Sequence, residues 1–378
     1  MTETQPRRHC EARIDLDAIR CNYEQACRLA PDSRAIAVIK ANAYGHGAVA
    51  VARALADRTP AFAVGLLEEA LELRAAGITE PLLLLEGVNS VAALEAVVEH
   101  ALSIVVHNEP QLEDLERATL KRPVAAWLKI DTGMHRLGLP PAMAGQALAR
   151  LRASRNCLEP VVVCTHLASA DDPGSAFVHE QLRLFDGCIA GLDAPQSIAN
   201  SGGILAFPDS RRHWNRPGYM LYGCSPFEQD LPAARDLVPA MTLSAEIIGL
   251  REVPVGESVG YRRTWTAART SRVATVAIGY ADGYPRHAPT GTPTLVRGQV
   301  APLVGTVSMD MLSIDVTGTD AAIGDPVVLW GPGLPVDLVA RAAGTIGYEL
   351  LTQLSGRVPR RYIGGESGQE RTEAGTEG

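Results

Sequence analysis

The chain has 378 residues, of which 46% are hydrophobic and 21% charged, with a formal net charge of −8. That length exceeds what one hydrophobic core usually holds, so two domains are expected. The acidic balance, with no clustered basic block, argues against a nucleic-acid partner and leaves a small molecule as the expected substrate class.

The N-terminus lacks the apolar centre of a signal peptide, and no stretch approaches the length needed to cross a bilayer, so a cytoplasmic location without a membrane partner is expected. Seven cysteines lie scattered without C-x-x-C spacing. That pattern predicts neither a disulfide frame nor a metal site. From Ala35 onward, short apolar runs alternate with helical patterns. The runs are AIAVIK (35–40), AFAVGL (61–66), LLLLE (82–86), LSIVV (102–106), VAAWLKID (124–131), VVVCTHL (161–167), QSIAN (196–200) and HWNRP (213–217). Between them AVAVARALAD, LEEALELRAAG, SVAALEAVVEH and PAMAGQALARLRAS place apolar residues at helical spacing. Eight strand and helix units with short links predict an α/β fold, a closed (β/α)8 TIM-type barrel over residues 11–227.

Beyond that point the segments MTLSAEIIGLREV, RVATVAIG, TLVRG, APLVGTVSMDMLSIDV and DPVVLWG read as strands separated by Gly and Pro. Helical pattern returns only in PVDLVARAAGTIGYELLTQL. A mainly β C-terminal domain over 228–363 follows, and residues 364–378 have too little to bury and are expected to be a disordered tail.

Active sites of such barrels form at the carboxyl ends of the strands. The residues there are Lys40, then Lys129 and Asp131 with Arg136 beyond, His166, Asn200 and Ser201, and Arg216. Lys40 is either an exposed charge at a strand terminus or a reactive amine. Ser201-Gly-Gly and the segment RPGYMLYG (216–223) are either chain-reversing turns or the phosphate cradle usual after strands seven and eight. A phosphate cradle and a strand-end lysine on one rim together point toward pyridoxal 5'-phosphate held covalently by lysine.

The motifs AVIKANAYGHG, LKIDTGMHRLG, THLASAD, NSGG, RPGYMLYG, VGYRRTW, GYADGYPR, VGTVSMDM and GRVPRRY resemble, in order and spacing, the signatures of bacterial alanine racemase. The resemblance runs from about residue 11 to 363. It implies a racemase of L- and D-alanine that supplies D-alanine for peptidoglycan, built as a head-to-tail homodimer with shared sites. By resemblance Lys40 carries the cofactor as an internal aldimine and moves the α-proton, and Tyr261 of the other protomer is the second base. The bland reading of Tyr261 is a half-buried strand tyrosine. Arg216 is implied to face the pyridine nitrogen, and His166 to lie against the cofactor ring and bond to Arg216. Tyr44, Ser201, the backbone of Gly218 and Tyr219, and Tyr348 are implied to bind the phosphate. Arg136, Met309 and Asp310 are implied to bind substrate.

Trp127, Lys129 and Asp131 share one strand face, so an ammonium at Lys129 would confront Arg136. The expectation, which the resemblance also suggests, is a carbamylated Lys129; the alternative is an ion pair with Asp131. Two positions depart from the family pattern, Arg262 and Tyr219, and bulk near the entry would alter substrate scope. A broader-specificity or serine racemase, and a non-catalytic pyridoxal phosphate carrier built on the barrel alone, are the alternative readings. A basic amino-acid decarboxylase would need a different phosphate loop and a cysteine and aspartate pair, which the sequence does not show.

Overall fold

The computed structural model describes residues 9–365 and 371–373. The chain divides into two compact units. One comprises Arg20–Ala43 and Ala48–Leu237; the other takes the chain up to Ile19, the segment Tyr44–Gly47 and everything from Val238 onward.

The N-terminal strand β1 (Cys10–Asp15) leads into helix α1 (Leu16–Leu29). The barrel strands follow as β2 (Arg34–Ala35), β3 (Ala37–Val38), β4 (Phe62–Val64), β5 (Leu82–Leu84), β6 (Leu102–Val106), β7 (Val124–Lys129), β8 (Cys157–Cys164), β9 (Gln196–Ser197) and β10 (Trp214–Asn215). β2 and β3 are two pieces of one strand. Their pairing with β10 on one side and β4 on the other closes an eight-stranded parallel barrel, and each expected run contributes one strand. The crossovers include α2 (Ala48–Leu55), α3 (Leu67–Ala75), α4 (Val91–Glu99), α5 (Glu109–Arg117), α6 (Ala144–Ala153), α7 (Ala176–Cys188) and the short α8 (Ser201–Ala206). Parallel strands buried on both faces explain why Phe62–Val64 and Leu82–Leu84 are wholly apolar and fully buried.

The other unit is built on the long strand β11 (Met241–Val253). A small hairpin, β12 (Ser258–Val259) with β13 (Trp265–Thr266), precedes β14 (Ser271–Val276). Then come β15 (Pro293–Val296), β16 (Gln299–Pro302), β17 (Leu312–Asp315), β18 (Pro326–Trp330), the helices α9 (Val336–Ala342) and α10 (Gly347–Thr352), and β19 (Arg360–Ile363). β11 alternates buried and partly exposed residues from Met241 to Ile247, as a strand with one face on a core does.

β1 belongs to this sheet. It pairs antiparallel with β11, Ala12 opposite Leu243, and parallel with β19, Ala12 opposite Arg360. β1 thus lies in the sheet of the unit that holds β11, although the sequence reading placed the residues from 11 onward with the barrel. Within the segment expected to be a tail, β20 (Arg371–Glu373) pairs antiparallel with β19, because an edge strand offers unpaired backbone groups. The rest of that expectation, residues 366–370 and 374–378, lies outside the described residues. No helix of the described residues is long and apolar enough to cross a membrane.

Candidate active site

Side chains two apart on a barrel strand point the same way, about 6.6 Å apart along it. Trp127 on β7 and Trp214 on β10 pack in a tilted pair with ring centroids 5.7 Å apart and planes at 55°, and the Arg34 guanidinium lies 5.3 Å over the Trp214 ring. The next residues along the same faces are Lys129 and Arg216. An apolar floor thus carries a charged layer toward the carboxyl ends of the strands.

Arg216 is buried. Its Nη2 donates to the carbonyls of Thr165 (2.7 Å) and Ile198 (3.1 Å), its Nη1 donates to Ser197 Oγ, and His166 Nδ1 lies 3.5 Å from Nη2. These bonds fix the guanidinium plane. Burial lowers its pKa from the ordinary value, yet an arginine keeps its proton through the physiological range. His166 is pushed well below the usual imidazole value by burial first and then by Arg216, Lys129, Arg136 and Lys40, so it stays neutral.

Lys129 is lowered by burial, with Arg216, Arg136 and Lys40 adding to the effect against an opposing contribution from Cys164. Asp131 does not offset it. Its carboxylate accepts from the Gly133 amide (2.9 Å) and the His135 amide (3.0 Å) and pairs with His135 Nδ1 at 2.9 Å. The Lys129–Asp131 ion pair is therefore replaced by a local turn, because Asp131 sits where those two amides converge. Arg136 is exposed, and among the described residues its guanidinium has no acidic partner. Two lysines and two arginines in one layer call for anions.

Ser201 supplies the second part. Its Oγ accepts from the amides of Gly218 (3.0 Å) and Met220 (3.2 Å). A hydroxyl that accepts twice keeps its own hydrogen to donate. Gly218 thus spends its amide on Ser201. The first amides of α8, those of Ser201 and Gly202, have no intrahelical acceptor, while Gly203 N donates to Asn200 Oδ1 at 3.0 Å. A Cβ on Gly202 would meet the Ala170 carbonyl oxygen at 2.2 Å, so this glycine is required by close packing of the loop after β8. Tyr219 is buried to 1% exposure, and its ring goes into packing instead of standing at an entry.

Lys40 follows β3 and opens an unusual turn. Ala41, Asn42, Ala43 and Tyr44 all have φ between 51° and 53°. Each non-glycine residue held left-handed costs about 1 kcal/mol or more. Local bonds hold the turn: Ala43 N donates to the Ile39 carbonyl (2.8 Å), and Asn42 Oδ1 accepts from Ala48 N (2.7 Å). The Lys40 amine is lowered by burial and by Arg136, while Glu86 and Glu69 oppose. The chain's only other lysine besides Lys40 and Lys129 is Lys121, which is exposed.

Tyr44–Gly47 joins the other unit. A Cβ on Gly45 (φ +80°) would meet the Leu351 carbonyl oxygen, and one on Gly47 (φ +96°) the Tyr362 hydroxyl. Only glycine fits either place. Arg360 Nε donates to the Gly45 carbonyl at 2.8 Å. The Tyr44 and Tyr348 rings lie 6.0 Å apart, and burial raises the Tyr44 hydroxyl to about 12, which keeps it a neutral donor.

Tyr261 stands between β12 and β13 and is 68% exposed, which overturns the half-buried strand reading. Gly260 (φ +74°) and Arg262 (φ +63°) turn the chain on either side of it. Arg262 is exposed. Met309, 52% exposed, and Asp310 fall in the loop between β16 and β17, where a continuous strand was expected. The Met309 carbonyl accepts from Ala281 N at 3.0 Å, and Asp310 takes Arg357 Nη2 at 2.6 Å. Arg357 in turn lies 3.5 Å from buried Asp282.

Sequence reading missed four supporting groups. Thr165 and Ser197 hold Arg216. Gln181, on α7 and fully buried, donates to Thr132 Oγ1 and the His166 carbonyl and accepts from Ala168 N. Glu69 accepts from the amide that follows Lys40. The only sequence signal was a glutamate in the first turn of α3.

Two family models match, one described as "Alanine racemase, N-terminal domain" over residues 14–226 and one as "Alanine racemase, C-terminal domain" over 240–362. A relative from Chromohalobacter salexigens called alanine racemase is 51% identical over 358 residues, covering 94% of this chain and 98% of its own. A biosynthetic alanine racemase of Escherichia coli is 47% identical, at 93% and 98% coverage. The biosynthetic alanine racemase structure from Pseudomonas aeruginosa matches with a TM-score of 0.91 at 48% identity, covering 95% of this chain and all of that one. A Bartonella henselae alanine racemase structure described with covalently bound pyridoxal phosphate matches at 0.86 and 33% identity, covering 95% and 100%.

Proposed function

The chain belongs to the alanine racemase family, and from that premise we propose that Lys40 and Tyr261 are the two bases with which it interconverts L-alanine and D-alanine. The cofactor of the family is pyridoxal phosphate. This chain's residues fit it: Ser201, the first amides of α8 and the neutral phenol of Tyr44 are hydrogen-bond donors suited to a phosphate, and Lys40 is an amine whose proton burial has weakened. When bound, pyridoxal phosphate supplies an electron sink that acidifies the substrate's α-hydrogen.

Lys40 would hold the cofactor and take or return the α-proton on one face, with Tyr261 serving the opposite face. Arg216 would stand at the pyridine nitrogen, and an arginine, which does not release its proton there, would leave that nitrogen unprotonated and so favour proton exchange at the α-carbon. His166 stays neutral, lies beside Arg216 and would pack against the cofactor ring. Tyr348 joins Tyr44, and the Gly218–Tyr219 turn backs Ser201, at the phosphate end. Arg136, without an acidic partner among the described residues, would receive the substrate carboxylate, for which a planar fork is suited. Met309 and Asp310 come from the second unit of a partner protomer, as does Tyr261. The observation that carries this assignment is the high exposure of Tyr261 and Met309 within one chain. A head-to-tail homodimer covers them, and the enzyme works in the cytoplasm to supply D-alanine for peptidoglycan.

Interconversion measured on alanine, serine and a basic amino acid tests the substrate. Alanine is expected to react at least about tenfold faster in kcat/KM than either, a margin open to a site that gains or loses a single polar contact. Equal rates on serine would replace this reading with a broader racemase.

Lys129 is proposed to be carbamylated. Burial and the neighbouring cations lower its amine from the ordinary lysine value, which favours the neutral form that reacts with carbon dioxide, and the carbamate would replace a fourth cation with an anion that aligns Arg136. Isotope-labelled bicarbonate is expected to give a carbamate signal that is absent in Lys129→Ala and fades as pH falls and the amine protonates. Lys129→Ala should lose about ten- to a hundred-fold in activity through misplacement of Arg136. A plain amine at neutral pH would remove the idea.

A further inference from the structure

We infer that Glu69 is a positioning residue for the reaction, its carboxylate tying the left-handed turn after Lys40 to the end of the neighbouring barrel strand and so fixing where the Lys40 amine stands. This inference rests on the reading of Lys40 as the cofactor-bearing lysine.

Two oxygens of Glu69 serve three amides. Oε1 accepts from Ala41 N at 2.5 Å, and Oε2 accepts from Gly65 N at 2.7 Å and Leu66 N at 3.1 Å. Gly65 and Leu66 follow β4, while Ala41 follows β3 and lies 28 positions earlier in the chain than Glu69. The bond to Leu66 is what a glutamate in the first turn of α3 does at any helix start. The bond to Ala41 is not. It joins two neighbouring βα loops at the residue next to Lys40.

The turn has need of such a bond. Ala41, Asn42 and Ala43 are left-handed without a glycine among them, a conformation that L-residues leave unless something holds it. Asn42 holds the far end through Ala48, and Glu69 holds the near end. The same spot is crowded: a Cβ on Gly65 would lie 3.3 Å from Glu69 Oε2, 3.6 Å from Glu86 Oε1 and 3.9 Å from the Lys40 Cβ. Lys40, Glu69 and Glu86 thus meet around one glycine, and a shift of the turn carries the amine with it.

Glycine accepts positive φ without strain, so Ala41→Gly should make the turn less dependent on Glu69. Cofactor affinity is titrated from the visible absorption of the native protein, Glu69→Ala, Ala41→Gly and the double variant, with borohydride fixation and peptide mapping of each. Glu69→Ala is expected to lose about tenfold or more in cofactor affinity in the native chain, and about threefold or less when Ala41→Gly is present. Equal losses in both backgrounds, with the label on Lys40, overturn the role of Glu69 and leave it as a cap of α3. A label on another lysine in the native protein overturns the assignment of Lys40 instead. If Glu69→Ala does not fold, the same comparison is made with Glu69→Gln, which keeps the length but exchanges one acceptor for a donor.

Discussion

Lys40→Ala is expected to lower racemisation by about 10³-fold or more, because it removes both a proton-transfer group and the covalent hold on the cofactor. The protein should also lose its visible absorption. Borohydride treatment of the native enzyme should fix the cofactor to the peptide containing Lys40, and treatment of Lys40→Ala should fix none. The chain makes this a sharp test, since only Lys121 and Lys129 could compete and Lys121 is exposed. Burial, with Arg136 adding, lowers the Lys40 amine. The sign follows: a lowered lysine loses its proton earlier as pH rises, so the rising limb of the rate profile should fall below the ordinary lysine range. A rising limb within that range, or a label on Lys129, would contradict the assignment.

Tyr261→Phe is expected to slow racemisation by about 10²- to 10⁴-fold while leaving the cofactor bound to Lys40. It should also break the symmetry of the reaction. In deuterated solvent the native enzyme should exchange the α-hydrogen of both alanine enantiomers. The variant should retain rapid exchange for only one, the enantiomer whose α-hydrogen faces Lys40. Equal exchange of both enantiomers in the variant would mean that the tyrosine is not a base.

The barrel was legible because its strands are buried on both faces and so read as bare apolar runs, and the rim could then be found by looking at what ends each run. Lys40, Lys129, His166, Ser201 and Arg216 were found in that way. What escaped was conformation that composition does not encode. Ala41-Asn42-Ala43 contains no glycine, only Asn42 being a residue that favours the left-handed region, and the turn is held by Glu69 from the start of α3. β1 escaped for a related reason. Its partners stand more than 200 positions away, Cys10 opposite Ala245, and strand pairing over such distances leaves no local signal. The glycines of the Tyr44–Gly47 segment were legible as glycines, but their cause, the Leu351 carbonyl and the Tyr362 hydroxyl, lies at the other end of the chain. Family resemblance singled out Tyr261, whereas its residue type and surroundings suggested an ordinary strand position. In the proposed homodimer the exposure of this tyrosine has a physical reason.

The central claim, that one reaction centre draws Lys40 from one protomer and Tyr261 from its partner, is tested most directly by mixing Lys40→Ala and Tyr261→Ala proteins after dissociation and reassociation. Each is expected to be nearly inactive alone. A mixed dimer should rebuild one site with both residues intact and leave the other with neither, so random pairing is predicted to recover up to roughly a quarter of native activity. No recovery, with subunit exchange demonstrated independently, would contradict the account and assign both residues to the same chain.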